Sequence, residues 1–475
     1  MGRDESRLAL AAQAILEHGY PLLPGGLVYT RGLLPSYLEA ASFGLLGVSD
    51  QSARLPSLVA GTLLVPAMYF FARGAIGSWP ALAVAVIVAL SPPLVARSQE
   101  AWLYSGFLLW FVLALACLHR SYRQPSLGSR LLAALAFTAA IFSHEFAVLI
   151  LPVALVGDLV SRLRSRTAPT NRQLIVFWSL VTAVTAAVLV ISLALRAPTL
   201  GGSMSEIRAY LRPHFDLRAV GVSSMLLSRW HPWLLPAAAV GLVTMVGTTS
   251  RNLRAALGFV ALLLLVSMAF VGFVLGRSGH ERDQLMLIPA LVVLGVAGVQ
   301  SVGPWLIRAF SGIQLTAGPS RLLATVLVGV FVLTTVDPDE YINEMGNRSV
   351  PTTWVQSVSD FQSQDLVMSY GPTVTSHYLG RTDFWLRSDS FAQYVWAGRP
   401  PYRDIHSNAI VIRTPADLDM HVLSPYAGRT MWVIWRATES RDPNSTINQV
   451  LASLEPRVLF RQASPDGNVV SKVQL

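Results

Sequence analysis

Three runs near the start of the chain decide its reading: Asp4-Glu5-Ser6-Arg7, Tyr29-Thr30-Arg31-Gly32-Leu33-Leu34-Pro35 and Arg54-Leu55-Pro56-Ser57. The third leads directly into an apolar segment, residues 55–73, of bilayer-crossing length. An acidic pair and scattered arginines thus stand just ahead of a chain that is otherwise mostly lipid-soluble. Charges in such a place are costly unless they are partnered or serve chemistry at the membrane surface.

The whole composition agrees. The 475 residues are 53% hydrophobic and 13% charged, with a mean hydropathy of +0.49. That is the composition of a polytopic membrane protein. The net charge of +9 comes almost wholly from arginine, since Lys472 is the only lysine. The arginines cluster between apolar segments, where orientation signals belong. No basic face on a soluble domain offers a nucleic-acid site, so that class of partner is excluded. The single cysteine, Cys117, rules out an intramolecular disulfide. The polar N-terminus carries no cleavable signal peptide.

Further apolar segments fall at 80–96, 101–118, 173–195, 232–249, 255–276, 284–307 and 321–336. A full crossing takes about 20 apolar residues. The run 131–160 is too long for one crossing and holds Ser143-His144-Glu145 at its middle, which predicts two short helices meeting there. About ten spans result. Arg120, Arg123 and Arg130 occupy one loop; Arg162, Arg164, Arg166 and Arg172 another; Arg251 and Arg254 a third; Arg308 and Arg321 flank a fourth. Placing these loops in the cytoplasm puts Asp4, Glu5, Glu100, Glu145, Glu281 and Asp283 on the outer side, with Arg7, Arg31, Arg97 and Arg282. The orientation rule did not impose that convergence. It also places the N-terminus outside with no span before it, so the sequence predicts a first helix upstream of the given start.

The expected organisation is a first outer loop with amphipathic helices and the acidic motif (1–54), a transmembrane core (55–336) and an extracytoplasmic α/β domain (337–475). In the last, strands are predicted at Leu366–Tyr370, Ala409–Arg413, Met431–Trp435 and Arg457–Gln462, with helices at 415–421 and 443–453 between them. No glycine-rich phosphate loop follows the first strand, so a nucleotide site is not expected.

Asp4-Glu5 opens a helical segment ended by Gly19. Acids in a first turn are favoured by the helix dipole, and a carboxylate beside an acceptor can also serve as a general base. Arg7 lies one turn past Asp4 and can share its face. Arg7 and Arg31 can grip phosphate oxygens or extend to lipid headgroups. Glu100, after Arg97, reads as a rim ion pair or a site residue. His144-Glu145 interrupts apolar helices and points to a site role, structural or acceptor-binding. No second histidine has ligand spacing to it, so no metal is assigned, though one stays open, and no cofactor is expected. His280-Glu281-Arg282-Asp283 is a local charge network or the lid over a phosphate.

These residues resemble the GT-C superfamily, in particular the protein O-mannosyltransferases and the bacterial lipid A aminoarabinose transferase. That family opens with Asp-Glu and an arginine two residues later, here Asp4, Glu5 and Arg7. An aromatic and a basic residue precede a proline-containing helix, here Tyr29, Arg31 and Pro35, and Arg54-Leu55-Pro56-Ser57 leads into the next span. The similarity is good over about 1–160, weaker to 337, and architectural beyond. It implies an inverting transferase that moves a sugar from a polyprenyl-phosphate donor to a protein, lipid or glycan acceptor. It implies a bacterial plasma membrane, with the site and the C-terminus extracytoplasmic. Asp4 would be the base, with Glu5 beside it, and Arg7 and Arg31 would bind the donor phosphate; Arg282, from the charge run at 280–283, is a further phosphate candidate. The chain departs from the family pattern in several places. The family's first helix is absent, its second acidic position falls at Tyr104, and two lysines of the aminoarabinose branch correspond to Arg31 and His144-Glu145. A tyrosine of a later outer loop becomes Leu285 or Leu287. The rival readings are a transporter or flippase, and a non-catalytic scaffold; the first expects related halves and broken helices at mid-membrane, and no such halves are visible.

Overall fold

The computed structural model describes residues 2–164, 169–194, 233–273, 285–311, 326, 353–358, 360–387, 394–396, 398–436, 445–464 and 467–475. The chain opens with α1 (Arg3–His18), which ends at Gly19, whose φ of 80° needs no Cβ. A short apolar α2 (Leu33–Leu46) follows. Ser49 then caps α3 (Asp50–Ile76) by accepting the Ser52 amide at 3.2 Å.

The membrane portion continues through α4 (Ser78–Ala89), α5 (Pro92–Ser98), α6 (Tyr104–Arg123), α7 (Leu127–Ser143), α8 (Ile150–Arg164), α9 (Asn171–Ala194), α10 (Leu234–Gly247), α11 (Arg251–Phe273) and α12 (Ile288–Ser311). Among the described residues, six helices are long and apolar enough to cross a membrane, or seven if one bent pair counts as a span. The protein is therefore an integral membrane protein.

The sequence predicts about ten spans; six to seven qualify among the described residues. The predicted span 80–96 is the pair α4 and α5, bent by 61°. Pro92 and Pro93 stand at the start of α5, where their missing amides rule out continuation of α4. The predicted span 232–249 shrinks to the 14-residue α10, about 21 Å long and short of a hydrocarbon core. The predicted span 321–336 lies outside the described residues, Val326 excepted. The predicted break in 131–160 is present: α7 stops at Ser143, His144 is extended, and a 3₁₀ turn at Glu145–Leu149 precedes α8.

Close helix crossings rest on small residues. A Cβ on Gly241 would stand 2.1 Å from the Leu294 carbonyl oxygen, and one on Gly298 would stand 2.1 Å from that of Ala237, so α10 and α12 meet backbone to backbone.

The C-terminal part holds one six-stranded sheet in the order β3-β2-β1-β4-β6-β5. Its strands are β1 (Leu366–Ser369), β2 (Phe384–Leu386), β3 (Ile410–Ile412), β4 (Thr430–Arg436), β5 (Val458–Ala463) and β6 (Asn468–Gln474). β1 to β4 are mutually parallel, and the β5–β6 hairpin adds antiparallel to β4. Helix α13 (Pro372–Leu379) connects β1 to β2, and α14 (Thr446–Leu454) packs its apolar face on the sheet. The four predicted strands are present. β2 and β6 were not anticipated: β2 has only three residues, and β6 (Asn468-Val469-Val470-Ser471-Lys472-Val473-Gln474) does not alternate apolar and polar residues.

The sheet sits directly on the first loop and α3. Ser6 Oγ donates to Thr373 Oγ1 at 3.0 Å, and Tyr378 Oη donates to Asp50 at 2.7 Å. The Gly25 amide donates to the His406 carbonyl at 3.0 Å, and Trp396 Nε1 donates to the Gly25 carbonyl at 2.7 Å. Gly25 is required here, since a Cβ would lie 2.2 Å from the Ile405 carbonyl oxygen.

Candidate active site

The first turn of α1 opens on a cavity of about 370 Å³ between the membrane helices and the sheet. Asp4, Glu5 and Arg7 line it from α1, Arg97 from the last turn of α5, and Glu100 and Trp102 from the turn before α6. The sheet domain supplies Tyr370, Thr373, Trp385, Arg387, Tyr394, Asp404 and His406. Tyr370 and Arg387 immediately follow parallel strands β1 and β2, whose carboxyl ends are the usual ligand edge of such sheets.

The acidic pair divides its labour. Asp4 Oδ1 lies 3.3 Å from Arg7 Nη1, and both side chains stay partly exposed. Glu5 is buried, and both its oxygens are engaged: Oε2 accepts the Gly2 amide at 2.6 Å and Oε1 the Ala101 amide at 2.9 Å. Arg54 Nε stands 3.4 Å from that same Oε1. Ser57 Oγ donates to the Trp102 carbonyl at 2.9 Å. The Arg-Leu-Pro-Ser run thus anchors Glu5 and the 100–102 turn to the head of α3. Arg97 and Glu100 form a 2.7 Å ion pair on the opposite rim.

A second group adjoins the first. Gly32, with φ 69°, starts α2 and packs on Leu103 and the Ser143 carbonyl. That turn sets Arg31, whose Nε is 3.8 Å from Glu145 Oε1. Tyr29 is buried within reach of their charges; burial pushes its phenol up to about 12, against the pull of Arg31 and Arg7, so the hydroxyl stays protonated. His144 is fully enclosed: its Nδ1 accepts the Phe146 amide at 3.2 Å, and its ring packs against Tyr104, Phe107 and Phe146. Arg97 lies over the Tyr104 ring at 5.8 Å. His144 and Tyr104 therefore sit in the aromatic support behind the cavity, while Arg31 and Glu145 stay at the surface. Arg282, with its neighbours at 280–283, lies outside the described residues.

The sequence did not point to the sheet domain's contribution. Arg387 lies over the rings of Trp385 (5.0 Å) and Tyr394 (5.8 Å), and Arg7 approaches Tyr394 at 5.6 Å. Asp404 Oδ1 is 3.2 Å from His406 Nδ1. Burial raises the Asp404 carboxyl and its bonds to His406 and Ser407 lower it, with a net downward shift. The available signal was Asp404-Ile405-His406-Ser407, a carboxylate and an imidazole two residues apart. Among the described residues, no three His, Cys, Asp or Glu side chains gather into a metal site.

A bundle of apolar helices, an acidic first-loop helix and a capping sheet domain make up the described fold. Residues 30–194 match the family model of the dolichyl-phosphate-mannose-protein mannosyltransferases. The chain is similar to ArnT from Cupriavidus metallidurans bound to undecaprenyl phosphate, at a TM-score of 0.67 and 13% identity, over 99% of this chain and 93% of that one. It is also similar to the oligosaccharyltransferase AglB from Archaeoglobus fulgidus in complex with an inhibitory peptide and a dolichol-phosphate. There the TM-score is 0.57 at 11% identity, over 98% of this chain and 70% of that one. No curated protein sequence matches the chain significantly.

Proposed function

We propose that this chain is an inverting glycosyltransferase that moves a sugar from a polyprenyl-phosphate donor to an acceptor outside the cytoplasm. The observation that carries the reading is Asp4 beside Arg7, 3.3 Å apart on one lip of a cavity at the membrane boundary. Asp4 is the general base: its carboxylate takes the acceptor's proton as the acceptor oxygen bonds to sugar C1. The C1–O bond to phosphate breaks, and the lipid phosphate leaves with the electron pair. Arg7 and Arg31 hold that phosphate, and their charge stabilises it as it departs. Glu5, with both oxygens occupied, positions the loop.

The carriers in two neighbours support this donor class, since ArnT is bound to undecaprenyl phosphate and AglB to a dolichol-phosphate. Arginines at the far ends of α6 and α8 support an extracytoplasmic site, because cytoplasmic loops collect them. Residues 1–54 and 337–475 then form the outer layer, in the plasma membrane of a bacterium. The test is sugar release from a labelled polyprenyl-phosphate donor by membranes holding this chain or its Asp4→Asn variant. Transfer by the native chain and its loss in the variant, with equal insertion, bear the proposal out. Equal transfer by both removes the base assignment.

A further inference from the structure

We propose that Asp404 and His406, contributed by the sheet domain, form the acceptor half of this active site, with the imidazole Nε2 accepting a hydrogen bond from a second donor group of the acceptor beside the attacking hydroxyl, whose own proton goes to Asp4. The inference rests on the transferase reading above and adds to it a second wall with a defined task.

The pair stands in the same cavity as Asp4 and Arg7, although about four hundred residues separate them in the chain. Asp404 is 2% exposed and engaged on both oxygens: Oδ1 faces His406 Nδ1 at 3.2 Å, and Oδ2 accepts the Ser407 amide at 2.8 Å and its hydroxyl at 2.6 Å. A buried carboxylate so surrounded by donors is ionised, and it accepts a further hydrogen bond from the imidazole Nδ1–H. The tautomer is thereby fixed with hydrogen on Nδ1 and a lone pair on Nε2. His406 itself is 7% exposed and lines the cavity.

The charged groups acting on His406 are Asp404, Arg7 and Asp4, and the Tyr394 ring lies 6.3 Å away. Burial lowers the imidazole below its ordinary value and outweighs Asp404, with Arg7 adding to the lowering, so the ring is neutral at neutral pH. A neutral imidazole accepts from a hydroxyl, whereas a protonated one would repel Arg7.

Asp4 shares its Oδ1 with Arg7, so orienting the acceptor needs a second anchor. The segment is held in place to provide one. The His406 carbonyl accepts the Gly25 amide at 3.0 Å, and Gly25 is wedged against Ile405 with no room for a Cβ. The first loop that carries the base therefore also aims the dyad. The expected acceptor presents its attacking hydroxyl to Asp4 on the membrane side and a second hydrogen-bond donor, such as a neighbouring hydroxyl, to Nε2 on the domain side.

The test uses the full chain in membranes, a panel of labelled undecaprenyl-phosphate sugars, and His406→Gln, Asp404→Asn and Asp404→Glu variants. Binding of undecaprenyl phosphate itself and the thermal midpoint are measured beside transfer. Losing one positioning hydrogen bond lowers transfer by about 10- to 100-fold. Undecaprenyl phosphate binding is expected to stay at the native level in His406→Gln and Asp404→Asn, and Asp404→Glu is expected to recover part of the rate. Native transfer in His406→Gln overturns the proposal. So does a loss of transfer matched by a loss of undecaprenyl phosphate binding and a lowered midpoint, which marks a structural staple. A native chain that transfers none of the sugars overturns the functional reading, and this proposal with it.

Discussion

Asp4 and Glu5 are adjacent in sequence and opposite in circumstance. Glu5 satisfies two backbone amides and lies beside Arg54, so Glu5→Ala leaves buried donors without an acceptor. The expected cost is about 1–3 kcal/mol, read as a lowered thermal midpoint. Asp4→Asn, at a half-open position, is expected to leave that midpoint unchanged while abolishing transfer. Arg7→Ala is expected to raise the donor concentration needed for half-maximal rate; an unchanged requirement would return Arg7 to headgroup contact. His406 gives stability a pH dependence with a definite sign. Its folded value is depressed by burial, so above the ordinary 6.5 neither state carries the proton. As pH falls through 6.5 the unfolded chain protonates first, and stability declines. Thermal midpoints measured downward from pH 7 should show that decline, and His406→Gln should flatten it. The acidic motif was legible because its residues are neighbours in sequence. Asp404 and His406 were not, because only the folded chain brings them to Asp4.

Helices were legible in proportion to the length of their apolar runs. The break at His144 could be read because the polar run Ser143-His144-Glu145 interrupts an apolar stretch, and the backbone there does leave the helix. The bend between α4 and α5 was hidden by hydropathy, since Pro92 and Pro93 are as apolar as their neighbours while removing two amide donors. β2 escaped for a different reason: three residues give no alternation to detect. Two glycines make element-scale predictions. Gly32→Ala places a Cβ where φ is 69°, costing about 1–2 kcal/mol of backbone strain. It should shift Arg31 and weaken undecaprenyl phosphate binding more than it lowers the thermal midpoint. Gly298→Val must push α12 away from the Ala237 carbonyl, and a cysteine pair placed across α10 and α12 should cross-link less readily in that variant.

The whole molecule is two layers joined at the site. Tyr378 binds Asp50 at the head of α3, and Ser6 binds Thr373, so the sheet is fastened to both α1 and the membrane helices. Tyr378→Phe removes one fastening without changing shape. Hydrogen exchange at the Pro372–Leu379 helix should rise in that variant, with transfer reduced and the membrane helices as protected as before. The pairing of Gly25 with His406 has a consequence for biosynthesis. The loop around Gly25 leaves the ribosome well before the segment around His406, about 380 residues further along the chain. Throughout translation and membrane insertion the growing polypeptide holds its acidic pair with one wall missing. Closure of the cavity therefore waits until the sheet domain has emerged and folded back, and a product terminated before it carries the whole first-loop motif without the wall that faces it.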